Sequence, residues 1–445
     1  MMSGRVGGPQ VNDPEDVERW HEQARRRRLL HGCWRQDAKV LQGEMMGLIR
    51  ADAHGPPDMS SNPFKSTCRE LAIHYNDGAV VEHADASAAA VMQAELDAMG
   101  WAPIMATVAY DLIGIREMLV RVTQASDGSI SLRPVYPDTV LAEGHCDAPD
   151  VPLRIEEARE RDIGKEDVWT WDVLDITDPA NPYYRVEAEI DGKRVDVTEL
   201  VLGGRFEGAT YPYWDGNDPI LPYAMYHAKV WPSMWSHTDG MELVDGTLRS
   251  AVHWTYFGHT LRHTAYRQRF VIDGTLGGDE VEGANGTKRR EAVADPAVIL
   301  ELRTLASEDG SPSPQGARVG SFDAPTDPVA VFEACARYDR KVTTQAGISA
   351  SDFERTEGDP RSAYALLLSD EGKIRAARSY TEGIRRGDRA LLRIVAALLR
   401  LPTKGWGVRY PGVPDLMARG QSTTAPLPTP TPQNIGGENN STEGA

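Results

Sequence analysis

The sequence predicts an α+β chain, and three observations predict it. Helical periodicity fills both flanks, strand alternation fills the middle, and a short β-rich stretch is held between two helical ones. The 445 residues are enough for two or three domains.

The elements follow in chain order. Asp13-Pro14-Glu15 opens a helix that Val17, Trp20, Ala24, Leu29 and Leu30 continue, so residues 13–50 read as helical. Within it the run Arg25–Arg28 reads as a solvated helix face rather than a nucleic-acid patch. A Ser-Asn-Pro turn precedes a short apolar helix ending near Asn76, and residues 84–100 form an Ala-rich helix stopped by Gly100. From Ala102 to Trp231 the chain reads as mostly β. Asp127-Gly128 and Asp191-Gly192 stand between alternating runs, the second being the stronger hairpin signal.

Helical spacing returns from His237 to Gln268 through Met241, Val244, Leu248 and Val252, followed by Trp254, Leu261 and Ala265. If continuous, such a helix spans roughly 48 Å. Gly240, Gly246 and Gly258 oppose it, each costing ~1 kcal/mol against Ala. "RFVIDG" then reads as a strand and turn, and residues 270–325 as short strands joined by Gly-, Pro- and Ser-rich turns. Asp327-Pro328 pairs an N-cap with proline at the first helical position, and that helix runs to Gly347. The turn Gly358-Asp359-Pro360 precedes a long helix whose Ala377, Ile384, Leu391 and Leu398 recur every seven residues as one apolar seam. The Pro-, Thr-, Gly- and Asn-rich residues 411–445 are expected to be disordered.

Charge restricts the partners. The formal charge is −18, so there is no global basic footprint for tight, sequence-reading DNA binding. Residues 361–410 hold eleven Lys and Arg against four Asp and Glu, a net of +7 that leaves −25 elsewhere. An acidic protein that surrounds DNA without gripping it remains compatible with this balance. Cys33, Cys68, Cys146 and Cys335 lie far apart and form no C-x-x-C pair, which fits a reducing compartment rather than a zinc site or disulfide framework. No apolar h-region stands at the N-terminus, and the most apolar run is broken by Arg393 and Arg400, so neither a signal peptide nor a membrane span is expected.

Chemistry is not signalled. "GDPRSAYA" lacks the G-x-x-x-x-G-K-[ST] spacing that points consecutive amides at phosphates, and Pro360 removes one amide. "GANGTK" at 283–288 fails on the same spacing. His259 and His263 lie four apart, but Thr260 stands where a zinc hydrolase places its glutamate, so surface or interface histidines are the favoured reading. No G-x-S-x-G elbow is present. No enzyme, cofactor or metal site is expected.

The order of elements is more specific than any motif. A mixed α/β body, a long helix, a small β insertion, a second helix, a loop and another long helix resemble the portal (head-to-tail connector) proteins of tailed double-stranded DNA bacteriophages. The stretches that match in kind are "NPFKSTCRELAIHY", "ISLRPVYPDTVLAE", "DGMELVDGTLRSAVHWTYFGH", "RFVIDG" and "GISASDFERTEGDPRSAYALLLSDEGKIRAA". The likeness covers most of residues 50–410.

The resemblance implies an N-terminal wing over 1–236, a first stem helix at 237–269, a clip at 270–325 and a second stem helix at 326–346. It further implies a channel loop at 347–362, a long wing helix with a short crown-like end at 363–410, and a tail at 411–445 in place of the family's full helical crown. It implies a twelve-fold homo-oligomeric ring at one capsid vertex, through which double-stranded DNA passes without sequence specificity. The implied partners are the major capsid protein, the terminase packaging motor and a tail adaptor, with no membrane. Its expected location is the virion, and the host cytoplasm during assembly. Arg355, Arg361, Ser351 and Asp359 become the DNA-facing residues of the loop. Asp352, Glu354, Glu357 and Asp359 would keep that contact weak, and Gly347 and Gly358 would give hinge freedom. Lys288, Arg289 and Arg290 become a docking rim on the clip. Bland readings stay open: an ordinary surface connection for the loop, and a solvated hairpin tip for the three basic residues. Alternatives at the level of function are a head-tail adaptor or scaffold without a channel, or a packaging nuclease or ATPase.

Overall fold

The computed structural model describes residues 13–32, 57–125, 128–163, 166–190, 193–202, 211–236, 238–265, 268–272, 281–282, 288–289, 300–302, 318–322, 327–348 and 363–413. Helices and sheets are both abundant, as the α+β expectation requires. Four helices come early: α1 (Pro14–His31), α2 (Pro63–Leu71), α3 (Ala86–Ala98) and α4 (Trp101–Ile115), with the short strand β1 (Val80–Glu82) before α3. Side-chain caps set their starts. Asp13 accepts from Glu15 N, Asn62 from Lys65 N, and Asp85 from Ser87 N and Ala88 N.

Two antiparallel sheets follow. The strands β2 (Glu117–Gln124), β3 (Ile130–Val135) and β11 (Tyr223–His227) form a sheet in the order β11-β2-β3. The strands β4 (Val140–His145), β5 (Ala148–Ile163), β6 (Glu166–Asp175), β7 (Tyr183–Ile190) and β8 (Lys193–Asp196) form a five-stranded meander. Both sequence-predicted hairpins are present. β2 and β3 pair antiparallel up to Gln124 opposite Ile130, with Gly128 between them at φ 87°, and in the second Ile190 pairs with Lys193. A short helix α5 (Thr198–Leu202) and the two-residue ladder β9 (Trp214–Asp215) with β10 (Asp218–Pro219) precede β11.

The second half matches the predicted alternation. Helix α6 (Met241–Ala265) leads to β12 (Gln268–Ile272), β13 (Val281–Glu282), β14 (Lys288–Arg289), β15 (Leu300–Leu302) and β16 (Arg318–Phe322). Then come α7 (Pro328–Gln345), α8 (Ala363–Leu399) and β17 (Gly407–Arg409). β17 pairs with β1, Val81 opposite Val408, so the chain's late residues close onto its early ones.

Two sequence expectations are corrected. Residues 101–115 are helical, not β: Trp101, Met105, Val108, Leu112 and Ile115 lie three or four apart and are fully buried. Because α4 is apolar nearly all round, it shows no polar face from which a helical period could be read. The run Arg25–Arg28 is not simply a solvated face. Arg26 is buried, its guanidinium reaching Glu22 at 2.9 Å and the Gly114 carbonyl at 3.4 Å. Of the helix expected over 13–50, residues 14–31 are helical and 33–50 lie outside the described residues.

The main core joins α2 and α4 to the β11-β2-β3 sheet, the first part of α6, and α8. A smaller cluster of Ala158, Trp171 and Val173 packs under Trp20 of α1. Cys68, Cys146 and Cys335 are free thiols. Among the described residues no single helix is long and apolar enough to cross a membrane. The bent pair α3–α4 passes by length and composition, and α4 packs mostly into the core.

Candidate functional site

The elements singled out from sequence meet at two joints. At the first, α6 and α7 run side by side. Asp339 of α7 accepts from Ser250 Oγ at 2.5 Å and Trp254 Nε1 at 2.9 Å on α6, and from Ser61 Oγ of the segment before α2. Thr247 and Thr255 of α6 accept from the backbone amides of Phe64 and Asp58, at 3.0 and 2.8 Å. Near this base α6 is buried at Val244, Thr247, Leu248 and Ala251. Farther along the pair an aromatic cluster of Trp254, Phe257 and Phe332 forms, with ring centroids 5.6–5.7 Å apart, and Phe332 and Val329 are 47% and 64% exposed.

At the second joint α8 crosses β11 and the early helices. Its apolar seam is real: Ala377, Ile384 and Leu391 are buried and Leu398 is half-buried. Gly383 and Gly387 permit a close approach, since a Cβ at Gly387 would lie 2.2 Å from the Tyr226 ring and one at Gly383 2.2 Å from the His227 carbonyl. Between those residues and the C-terminal strand lies Asp388, fully buried. It accepts from Tyr75 Oη at 2.8 and 2.9 Å, from Tyr226 Oη at 2.9 Å and from Tyr410 Oη at 2.6 Å. No cation joins them among the described residues. Burial pushes the Asp388 carboxyl up to about 6, while the three hydroxyls pull the other way. Next to it His74, buried, is held down to about 4 by burial; its Nε2 lies 3.1 Å from Thr381 Oγ1.

Arg116 connects the two joints. It sits at the turn from α4 into β2 with φ 85°, a left-handed conformation that costs a residue with a Cβ about 1–2 kcal/mol. Its guanidinium reaches the Asp239 carbonyl at 3.2 Å and Tyr380 Oη on α8 at 3.3 Å. It lines a cavity of about 330 Å³ with Asp239, Gln345, Gly347 and Tyr380. That cavity lies where the chain leaves α7: Gly347 has φ 88° and Ile348 is buried.

The site residues expected from sequence fall mostly beyond this frame. Ser351, Arg355, Asp359 and Arg361 lie outside the described residues, as does Arg290. Lys288 and Arg289 form β14, whose backbone pairs with β13, Val281 opposite Arg289. Around that ladder β12 pairs in parallel with β15 and antiparallel with β16, so the stretch between α6 and α7 contains short strands as expected. His259 is half-buried, and the side chain of His263 is outside the described residues. Sequence reading missed Asp339, Asp388 and Arg116. For Asp388 a signal existed: an acid three residues before Leu391 and four after Ile384 interrupts the apolar stripe.

No family model and no curated protein matches the chain. Among solved structures it is similar to a chain described as "Virion of native gene transfer agent (GTA) particle", at TM-score 0.42 and 11% identity over 86% of this chain and 92% of that one. A second, "Neck of native GTA particle computed with C12 symmetry", gives TM-score 0.41 and 12% identity over 86% and 87%. Neither likeness is close enough to carry a functional argument.

Proposed function

We propose that the chain is a portal-type subunit, forming a ring at a capsid vertex through which double-stranded DNA is packaged and ejected. One observation carries the reading. Two packed helices, α6 and α7, bracket a module of short strands and are followed by the long helix α8, in the order the resemblance implies. At ~1.5 Å per residue the 25 residues of α6 extend about 37 Å and the 37 of α8 about 55 Å. The base of α6–α7 is embedded in the body, whereas Val329 and Phe332 farther along are exposed on α7. Exposed apolar residues on a helix pair with a buried base suit burial against a second copy, and a heterologous contact repeated around an axis closes a ring.

In this reading residues 270–325 are the clip, docking first the packaging motor and then the tail adaptor. Residues 347–362 are the channel loop, which leaves α7 with the Gly347 and Ile348 amides donating to the Thr344 and Thr343 carbonyls and with Ile348 buried. The subunit grips DNA weakly, because Arg355 and Arg361 stand among acidic neighbours within a screening length of ~8 Å. It has no catalytic centre and needs no cofactor. It resides in the virion, against the major capsid protein.

The test is an image and a mass. Purified assembly, or material taken from virions, should show large rings with a central hole by negative-stain microscopy. Particles of 48.9 kDa alone by mass photometry, in assembly-promoting salt and in virion-derived samples, would overturn the ring.

A further inference from the structure

The two antiparallel sheets meet over a seam of charge. Arg121 of β2, almost wholly buried, donates to Glu157 Oε2 at 3.0 Å and Asp172 Oδ2 at 2.5 Å. Arg133, its cross-strand neighbour on β3, holds both Glu157 oxygens at 2.7 Å. Arg161 of β5 holds Asp172 at 2.8 and 2.9 Å and donates to Thr170 Oγ1 at 2.7 Å. Tyr223 Oη gives Glu157 another bond at 2.8 Å. The carboxylates of Glu157 and Asp172 are thus already well supplied with donors.

Arg159 stands on the same face of β5, two residues from Glu157 and two from Arg161. Its nearest acidic atoms are Glu157 Oε1 at 3.9 Å and Asp172 Oδ2 at 3.7 Å, beyond hydrogen-bond reach, and its side chain is 37% exposed. No aromatic ring among the described residues lies under it, as Trp171 does under Arg194 at 4.1 Å. Four guanidinium groups therefore share two carboxylates, an excess of two positive charges. Burial, then the like charges of Arg133 and Arg161, hold the Arg159 guanidinium below its ordinary pKa, so the crowding is felt where the group stands. Arg133 and Arg161 are 36% and 18% exposed, so neither side chain is sealed from solvent.

We propose that Arg159, with Arg133 and Arg161, is the binding site of a doubly charged tetrahedral oxyanion of the phosphate class. An excess charge of two matches a dianion. Planar guanidinium forks match phosphate oxygens better than point charges do. The site is separate from the helix joints and does not depend on the portal reading. Free oxyanion and nucleic-acid phosphate share this chemistry.

The experiment uses the full chain, with thermal unfolding followed in inorganic phosphate and in sodium chloride of matched ionic strength. Phosphate at roughly tenfold its Kd should raise the Tm by about 2 °C over chloride. Arg159→Gln should weaken phosphate binding by about tenfold or more, since a charge-assisted contact is lost. Without phosphate the same variant should be as stable as the wild type or more so, because it removes a like charge whose side chain makes no hydrogen bond among the described residues. A purely structural arginine predicts the reverse, a lower phosphate-free Tm. That result, equal behaviour in phosphate and chloride, or an undiminished phosphate effect in Arg159→Gln would each overturn the site. A short DNA duplex added in competition distinguishes the sources: Arg159-dependent displacement of phosphate assigns nucleic acid, and no displacement assigns the free oxyanion.

Discussion

Substituting Asp388 and His74 should reveal two pH dependences that oppose each other in the wild-type chain. The fold raises Asp388 from 3.8 to about 6, so it favours the neutral carboxyl. That contribution is fully present below the unfolded value of 3.8 and is lost as pH rises through about 6. The fold lowers His74 from 6.5 to about 4, so it favours the neutral imidazole. That contribution is present above 6.5 and is lost as pH falls through about 4. At 1.36 kcal/mol per pH unit each amounts to about 3 kcal/mol, with opposite slopes over nearly the same window. Urea unfolding followed by tryptophan fluorescence, at half-unit steps from pH 4 to 7.5, should separate them. Asp388→Asn should gain about 2 kcal/mol relative to wild type as pH rises from 4 to 6.5, above a constant offset from weakened tyrosine bonds. His74→Gln should lose a similar amount over the same range. Glu117, which burial pushes up to about 7, is common to all three proteins and cancels in the differences. Curves that run parallel to wild type for either variant would refute the reasoning for that residue.

Four further outcomes are expected. Gly387→Ala should lower stability by about 1–3 kcal/mol, because its Cβ would meet the Tyr226 ring at 2.2 Å and that ring is tied to Asp388; an unchanged Tm would show that β11 can yield. Phe332→Glu should fold normally, the residue being 47% exposed, yet lose rings in negative stain; intact rings would remove α7 from the interface. Arg355 and Arg361 both reversed to Glu should leave assembly intact and impair DNA packaging or retention, and normal packaging would defeat the channel-loop assignment. Deleting 276–291 should spare the ring and abolish adaptor binding in a pull-down, whereas loss of the ring would make the segment structural.

Local signals carried much of the fold and little of the site. Asp327-Pro328 marks the start of α7 because its cap is local: the aspartate accepts from Val329 N at 3.0 Å. The seven-residue seam of α8 and the hairpin at Asp191-Gly192 were legible for the same reason, since their causes lie within a few residues. Helix α4 was misread because its nearly all-apolar sequence lacks the polar face that defines amphipathic period. Arg26 was misread because its neighbours at Gly114 and Met241 are remote in the chain. Asp339 and Arg116 act across similar separations, joining residues 61, 250 and 254 in one case and 239 and 380 in the other. A single sequence gives no measure of such proximity.

The same separations bear on what the joints accomplish. Apolar contact holds α6, α7 and α8 against the body but is non-directional, so by itself it tolerates a helix slipped by one turn. A slip at α8 would strand Asp388 away from Tyr75, Tyr226 and Tyr410, and a slip at α7 would strand Asp339 from Ser250 and Trp254. Each buried group left without its partner costs about 1–3 kcal/mol, and the tyrosine cluster would lose several at once. A glycine contact adds steric selection, because only the registers that place Gly383 and Gly387 over β11 avoid a clash. The long helices are therefore held in one register at their bases, which fixes the direction in which α6 and α7 carry the strand module between them. If the portal reading holds, a helix pair that presents a docking surface at a defined place in every subunit would require this kind of specification more than added stability.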